Sequence, residues 1–565
     1  MIQIYFKLDE NNKPGFINLK SMKILYNIPS KLSDETRLSS DIYLPDVEGK
    51  YPVILLRTPY GKQSETIVEN AIKFSNNGFI FVANDVRGRG DSDGTFVPYF
   101  NEASDGCDMI EWCSHLDQSD GNVFTWGASY SARIQWLTAL KNPKKLKGII
   151  STVSPSDPFV ENPTGQPSPL SVSWLFSISG RTMQRTDLVN WKEVYDHLPL
   201  LSMSDETGQE INFWKKIVSE AKDSDFWKPL FYQTKFDSIP YPAMHIGGWY
   251  DDEQIGTFKN FMGMVNGHSG TRIAELQRMI IGSWPHNVNR NRKLGRLEFG
   301  MDSIIDLVGE EIKFIDHVLK NKKSIEKPVK LYLMGENQWM SFSGWPPEKY
   351  QTEILYLSSS GNANSRFGDG KLINQFPEYD EMHDAFTYDP GEPVLFISES
   401  NFEQIGGPDD YSKEEDRNDL LVYTSEVLGQ KLTILGNVEA EIYVDSDAPD
   451  TDFTVKLLDV WPDDHSMRLL DGIKRISGMH NNAVENIESK ERVRMIKIDL
   501  WNMGITIPKG HKLRVEIASS AFPKYARNLN ISGFQGGRSE YRVAHQKVFH
   551  GRKYGSNIRL PIFNF

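Results

Sequence analysis

Gly121-Asn122-Val123-Phe124-Thr125-Trp126-Gly127-Ala128-Ser129-Tyr130-Ser131 is the stretch whose reading decides the fold. A short strand-like run around Val123 gives way to a helical pattern at a serine set between small residues. So sharp a strand-to-helix turn strains the serine backbone and lifts its hydroxyl clear of a sheet. Small neighbours are needed because strand and helix pass close together. The spacing Gly-x-Ser-x-Gly is met at Gly127 and Ser129 and broken at Ser131, which is small like glycine. Alone, the motif also fits a serine that caps a buried helix. The flanking chain separates the two readings.

Upstream, Pro52-Val53-Ile54-Leu55-Leu56 and Phe79-Ile80-Phe81-Val82-Ala83 are short apolar runs bounded by turn residues, as expected of strands buried on both faces. Helices are predicted over 65–76 and over 101–115, the latter with Met109, Ile110 and Cys113 on one stripe. Strands alternating with helices predict a mostly parallel sheet. Between 151 and 238 the alternation stops, and the chain turns rich in Pro, Ser and aromatics, with helical character at 191–195 and 211–222. An insertion of this kind builds a cap over a pocket at the carboxyl ends of sheet strands. Strands resume at Ala243-Met244-His245-Ile246 and Met279-Ile280-Ile281, and a helix over 307–319 closes the unit. Beyond 350, short and often alternating segments (353–357, 420–423, 439–444, 453–457, 513–517) lie between Gly, Pro, Asp and Asn clusters, which predicts an all-β sandwich or jelly roll. The acidic run 409–419 reads as a solvated loop, without the ligand spacing of a calcium loop. The expected class is α/β: an α/β-hydrolase catalytic domain from 1–150 and 239–350, an inserted helical cap from 151–238, and an all-β jelly-roll domain from 351–565.

Composition narrows the partners. A chain of 565 residues exceeds one compact core. Its net charge of -13 argues against a nucleic-acid partner, which favours a basic face. No run approaches the ~20 apolar residues of a membrane span, and the first residues lack a basic segment followed by an apolar one. A cytoplasmic protein with neither a membrane nor a nucleic-acid partner is expected. Cys107 and Cys113, six apart in one predicted helix, fall on different faces, which disfavours a disulfide and suits a reducing compartment. The 13 tryptophans suit an apolar substrate pocket or a Trp-rich core equally.

A serine nucleophile needs a base to take its proton, and the base needs a carboxylate that fixes its tautomer and stabilises the imidazolium. In this fold they follow in the order Ser, Asp, His, each in a loop after a strand. Asp251 ends the segment Gly247-Gly248-Trp249-Tyr250-Asp251 after one predicted strand, and His286 sits in Gly282-Ser283-Trp284-Pro285-His286-Asn287 after the next. His317 and His115 fall on helices and His245 inside a strand, so they are weaker candidates. The oxyanion requires donors: the N–H of Tyr130 is one, and Tyr60 of Arg57-Thr58-Pro59-Tyr60-Gly61-Lys62 is placed to offer its phenol as the second. A tyrosine buried with its hydroxyl bonded elsewhere is the alternative.

These segments, with Asp85-Val86-Arg87-Gly88-Arg89-Gly90-Asp91-Ser92-Asp93-Gly94, Ala448-Pro449-Asp450-Thr451-Asp452-Phe453 and Asp459-Val460-Trp461-Pro462-Asp463, resemble the cocaine esterase and X-prolyl dipeptidyl-peptidase group of serine hydrolases (CocE/NonD type) over nearly the whole chain. The resemblance implies a hydrolase domain, a cap and a jelly roll. It assigns Ser129, Asp251 and His286 to the triad, and Tyr60 with the Tyr130 N–H to the oxyanion hole. The turn 85–94 is taken as structural, with Arg87 and Asp91 expected to pair. The α-amino acid ester hydrolases of the group hold a substrate ammonium with carboxylates two and three residues after the catalytic aspartate. Here those positions are Glu253 and Gln254, so one matches; Asp252 and Glu253 read equally as a cation site or a solvated loop.

The expected activity is hydrolysis of a carboxylic ester, or of an amide, through an acyl-enzyme, with no metal or organic cofactor. An X-Pro dipeptidyl-peptidase, an α-amino acid ester hydrolase or acylase, and a non-catalytic interaction protein on the same fold are the alternatives. The expected partner is a small ester or amide, held against Trp174, Phe176 or Trp249. The oligomeric state is open, a homodimer being one arrangement.

Overall fold

The computed structural model describes residues 22–320, 327–397, 407–477 and 493–565, with the backbone of Phe6–Leu8 and Pro14–Gly15. Ten strands form one sheet: β1 (Lys23–Lys31), β2 (Arg37–Leu44), β3 (Tyr51–Thr58), β4 (Ile80–Asp85), β5 (Ser119–Ala128), β6 (Leu146–Thr152), β7 (Ala243–Gly248), β8 (Arg278–Gly282), β9 (Val329–Leu333) and β10 (Gln338–Phe342). Their spatial order is β10-β9-β8-β7-β6-β5-β3-β4-β2-β1. Every pair from β4 to β9 across the middle is parallel, and the edges are antiparallel.

The period-two alternation of a strand explains how the apolar runs fill both faces. Val53 and Leu55 join Ile80, Val82, Val123 and Ile149 beneath helices α2 (Glu102–Ser114) and α3 (Tyr130–Ala139). Ile54 and Leu56 join Phe81, Phe124, Ile150 and Met244 beneath α1 (Glu65–Asn76) and the long helix Leu307–Lys320. All ten residues of α3 are buried, because the helix runs under the centre of the sheet. Its polar side chains are bonded there: Gln135 Nε2 donates to the Ser131 and Ile150 carbonyls at 3.0 and 3.1 Å.

Short helices Leu170–Ser177, Trp191–Asp196 and Asn212–Ser219 pack around Val172, Leu175, Phe176, Met203 and Trp214 between β6 and β7. Beyond the hydrolase sheet lies an eleven-stranded, almost wholly antiparallel β-domain. Its long strands Leu432–Ser446 and Arg494–Ile507 pair along their length, as do Asp450–Val460 and Ser466–Ser477. The β-domain grips both other parts: its Arg527 donates to the Asp196 carbonyl at 2.8 Å, and its core is continuous with Trp249, Phe258, Met279 and Val329.

Two expectations need correction. Arg87 does not pair with Asp91. Its guanidinium bridges Asp105 of α2 and Asp34, both at 2.8 Å, while Asp91 binds Lys62 at 2.8 Å. The turn closes through Gly88 N–H to the Asp93 carbonyl, which sends Arg87 back over α2. The run 409–419 is not simply solvated either. Glu415 is fully buried and bound by Arg514 and by the Ser466 hydroxyl, because a buried cation of the β-domain draws it in. Among the described residues no helix is long and apolar enough to cross a membrane.

Candidate active site

Ser129 sits between β5 and α3 with φ 58° and ψ −125°, a sparsely populated conformation that costs ~1–3 kcal/mol and persists only where the surroundings hold it. Its N–H donates to the Thr152 carbonyl at 3.0 Å, and its own carbonyl accepts from the Ala132 and Arg133 N–H groups at 2.9 and 3.0 Å. Gly127 has φ 152°, and a Cβ there would lie 2.7 Å from Ser131 Cβ and 3.0 Å from Leu56 Cδ1. Glycine is therefore needed at 127, whereas 131 has room for a buried serine. The Ser131 side chain turns into the domain beside Thr125 and Gln135 and does not shape the space around the nucleophile.

Asp251 and His286 follow β7 and β8, whose backbones hold their loops together: the Trp249 and Tyr250 N–H groups donate to the Gly282 and Trp284 carbonyls at 3.0 and 3.1 Å. The His286 Nδ1–H donates to Asp251 Oδ1 at 2.8 Å, and that oxygen also accepts the Glu253 N–H at 3.1 Å. Asp251 is buried, and the His286 ring is a quarter exposed. Burial opposes the charged ring, but the hydrogen bond to Asp251 and the charges of Asp251 and Asp252 outweigh it and lift His286 to about 9. Asp251, Asp252 and His286 offer ligand atoms within 4.8 Å of one another, the spacing of a cation site. The His286 Nδ1–H and the Glu253 N–H already engage Asp251 Oδ1.

Tyr60, just after β3, brings its phenol within hydrogen-bond reach of the Ser129 side chain and the Tyr130 N–H. Trp174 Nε1–H of the cap donates to the same oxygen at 3.1 Å. Burial pushes the phenol up from its ordinary value, so it stays protonated and able to donate. The Tyr130 ring packs beside Trp174, but its hydroxyl is engaged away from the nucleophile. Its hydroxyl donates to buried Glu102 at 2.7 Å, and Glu102 pairs with Arg57 at 2.7 Å, a network that braces the start of α3.

The loop after Asp251 is not a solvated acidic loop. Asp252 Oδ1 lies 3.4 Å from His286 Nδ1, and Glu253 faces Glu161 of the cap-side loop 153–169. Burial, then the Glu161 charge, holds Glu253 well above the usual carboxylate range; burial also raises Glu161, whose Oε1 accepts the Ser156 N–H at 2.8 Å. Arg133 of α3 supplies the nearest cationic field to both. Glu161 carries no motif and was not legible in the sequence; only the folding of its loop over the helix Gln254–Gly267 brings it here.

Of the three aromatic residues expected to hold substrate, Trp174 alone reaches the site. Phe176 is 5% exposed and packs edge-on against Trp191 inside the cap. Trp249 is 2% exposed, stacks on Phe258, donates Nε1–H to the Tyr332 carbonyl at 2.7 Å, and meets Gly504 of the β-domain so closely that a Cβ there would overlap its ring. Trp249 lies in the turn that follows β7, where Phe258, the Tyr332 carbonyl and the β-domain hold its indole away from the site.

The model for the X-Pro dipeptidyl-peptidase (S15 family) matches residues 34–288, and that for the X-Pro dipeptidyl-peptidase C-terminal non-catalytic domain matches 321–558. A cocaine esterase from Rhodococcus sp. (strain MB1 Bresler) is 28% identical over 95% of this chain and 98% of its own. Among solved structures, an aminopeptidase from a marine sediment Thaumarchaeota archaeon superposes with a TM-score of 0.82 at 23% identity, covering 99% of both chains. An α-amino acid ester hydrolase superposes with a TM-score of 0.82 at 22% identity over 98% of this chain and 99% of its own, and both likenesses speak to the fold. Matches to both parts of one enzyme family, over a chain with this fold, establish the assignment: the protein belongs to the cocaine esterase and X-Pro dipeptidyl-peptidase family of serine hydrolases, which cleave esters or peptides.

Proposed function

We propose that the protein hydrolyses a carboxylic ester of a compact acyl group through an acyl-enzyme on Ser129. The observation that carries this reading is the 2.8 Å bond from His286 Nδ1–H to buried Asp251, which leaves Nε2 as the basic nitrogen at the same sheet edge as the strained serine. Ser129 Oγ attacks the carbonyl carbon while His286 takes its proton, and Asp251 stabilises the imidazolium. The oxyanion lies between the Tyr60 phenol and the Tyr130 N–H, preorganised donors in a partly dry site. Collapse breaks the ester C–O bond, His286 returns the proton to the leaving alkoxide, and water repeats the sequence on the acyl-enzyme. A panel of p-nitrophenyl esters beside Gly-Pro and Ala-Pro anilides tests the leaving-group class: a preference for the anilides overturns the esterase reading.

The Glu161–Glu253 pair supports a second reading, in which the acyl group carries a free ammonium, as in an α-amino acid ester or an amino-terminal peptide. Two partly buried carboxylates held above their usual range gain from a cation between them. Comparing amino acid methyl esters with their N-acetyl forms decides it. Equal kcat/KM for both removes the pair from substrate recognition.

A further inference from the structure

His286 meets two carboxylates, and only one belongs to the expected triad. Asp251 Oδ1 accepts the Nδ1–H at 2.8 Å, while Asp252 Oδ1 stands 3.4 Å from the same nitrogen, enclosed and without a hydrogen-bond partner among the described residues. The turn that starts the helix Gln254–Gly267 brings both to one atom: Glu253 N–H donates to Asp251 Oδ1 and Gln254 N–H to the Asp251 carbonyl. Behind Asp252 the β-domain closes a small cavity with Lys524, Trp501, Phe396, Arg468 and Asp471. Lys524 Nζ binds Asp471 at 2.6 Å, sits 5.1 Å from the Trp501 ring centre and adds a minor pull on Asp252.

We propose that Asp252 is a positioning residue for the base: a second carboxylate 3.4 Å from His286 Nδ1, which sets the pH range in which His286 accepts a proton. This rests on the triad reading of the proposed function. The charged groups around Asp252 are His286 in front, Asp251 and Glu253 on its own turn, and Lys524 behind, with Asp471 and Arg468 beyond it. Burial is the main influence that lifts Asp252, to about 6, against the pull of His286 and Lys524. It is thus ionised through neutral and alkaline pH, where its charge adds to that of Asp251 on the imidazolium.

The consequence has a signature that a scaffold role lacks. Removing a charge this close moves the ionisation of its neighbour by about 1–2 pH units. In Asp252→Asn the acid limb of kcat/KM therefore shifts down by ~1–2 units, because the neutral imidazole becomes easier to form. The transition state, which also contains the imidazolium, loses the same stabilisation, so the alkaline plateau falls by ~10–100-fold. Below the limb the two changes cancel, and the wild-type and variant curves converge.

The test follows hydrolysis of a methyl ester by pH-stat from pH 6.5 to 10.5 in wild type, Asp252→Asn and Asp252→Glu, with fluorophosphonate labelling of Ser129 in each. Converging curves for Asp252→Asn, and a limb within ~0.5 unit of wild type for Asp252→Glu, support the proposal. A uniform loss at every pH with an unmoved limb, in protein that still labels, overturns it and leaves the triad intact. Absence of labelling in the wild type overturns both.

Discussion

Replacing Tyr60 by phenylalanine removes one atom from the proposed oxyanion site and separates chemistry from packing. The phenol is one of the two donors proposed there, is kept protonated by burial, and accepts from the Trp174 indole at 3.1 Å. Loss of a single preorganised donor lowers kcat by ~10²–10³, about 2.7–4 kcal/mol of transition-state stabilisation, with little change in KM because the ground-state carbonyl carries little charge. The same change leaves the Trp174 N–H without its acceptor. Since Trp174 is half-buried, the cost to stability lies near the low end of ~1–3 kcal/mol. Tyr60→Phe combined with Trp174→Phe recovers that stability in urea unfolding but leaves kcat low. Burst kinetics on a p-nitrophenyl ester measure the acylation step directly. A fall in acylation of less than about threefold, or recovery of kcat in the double variant, refutes the assignment of Tyr60 as an oxyanion donor.

Three further outcomes are expected. Gly127→Ala destabilises the protein by ~1–3 kcal/mol through overpacking and strain at φ 152°, and adding Ser131→Gly removes the 2.7 Å contact and restores part of it, read by thermal unfolding. Trp249→Ala lowers stability by ~3–5 kcal/mol and lowers kcat by loosening the Asp251 loop, whereas a pure rise in KM would return Trp249 to the substrate pocket. Because His286 is raised to about 9 in the folded chain, its contribution to stability is fully present below its ordinary value near 6.5 and is lost as pH rises through about 9. Activity runs the other way and increases over that interval as the base is freed. The wild-type advantage in urea midpoint over His286→Asn should therefore shrink between pH 7 and 10, and an advantage that grows contradicts the sign.

The elbow was legible because its demands are local. Gly127 must adopt a backbone that side chains avoid, and Ser129 must stand where a strand turns into a helix; both are properties of a few consecutive residues. Strand-end placement of Asp251 and His286 was legible for a related reason, since apolar runs of strand length end at the sheet edge wherever the chain goes next. Arg87 illustrates the opposite case: its charge invited a partner nearby in sequence, but a closed turn carried it to Asp34 and Asp105.

What the sequence determined by itself was the strand–helix alternation around the elbow, the hydrolase class and the strand-end placement of Ser129, Asp251 and His286, because periodicity and turn chemistry act over short stretches. Which glutamate faces Glu253 and which side of the Asp251 loop Trp249 occupies were decided by the tertiary structure alone. These depend on Glu161 and Gly504, residues far away in sequence that the packing of the cap-side loop and the β-domain brings alongside, where burial strengthens charge interactions and close packing enforces each contact.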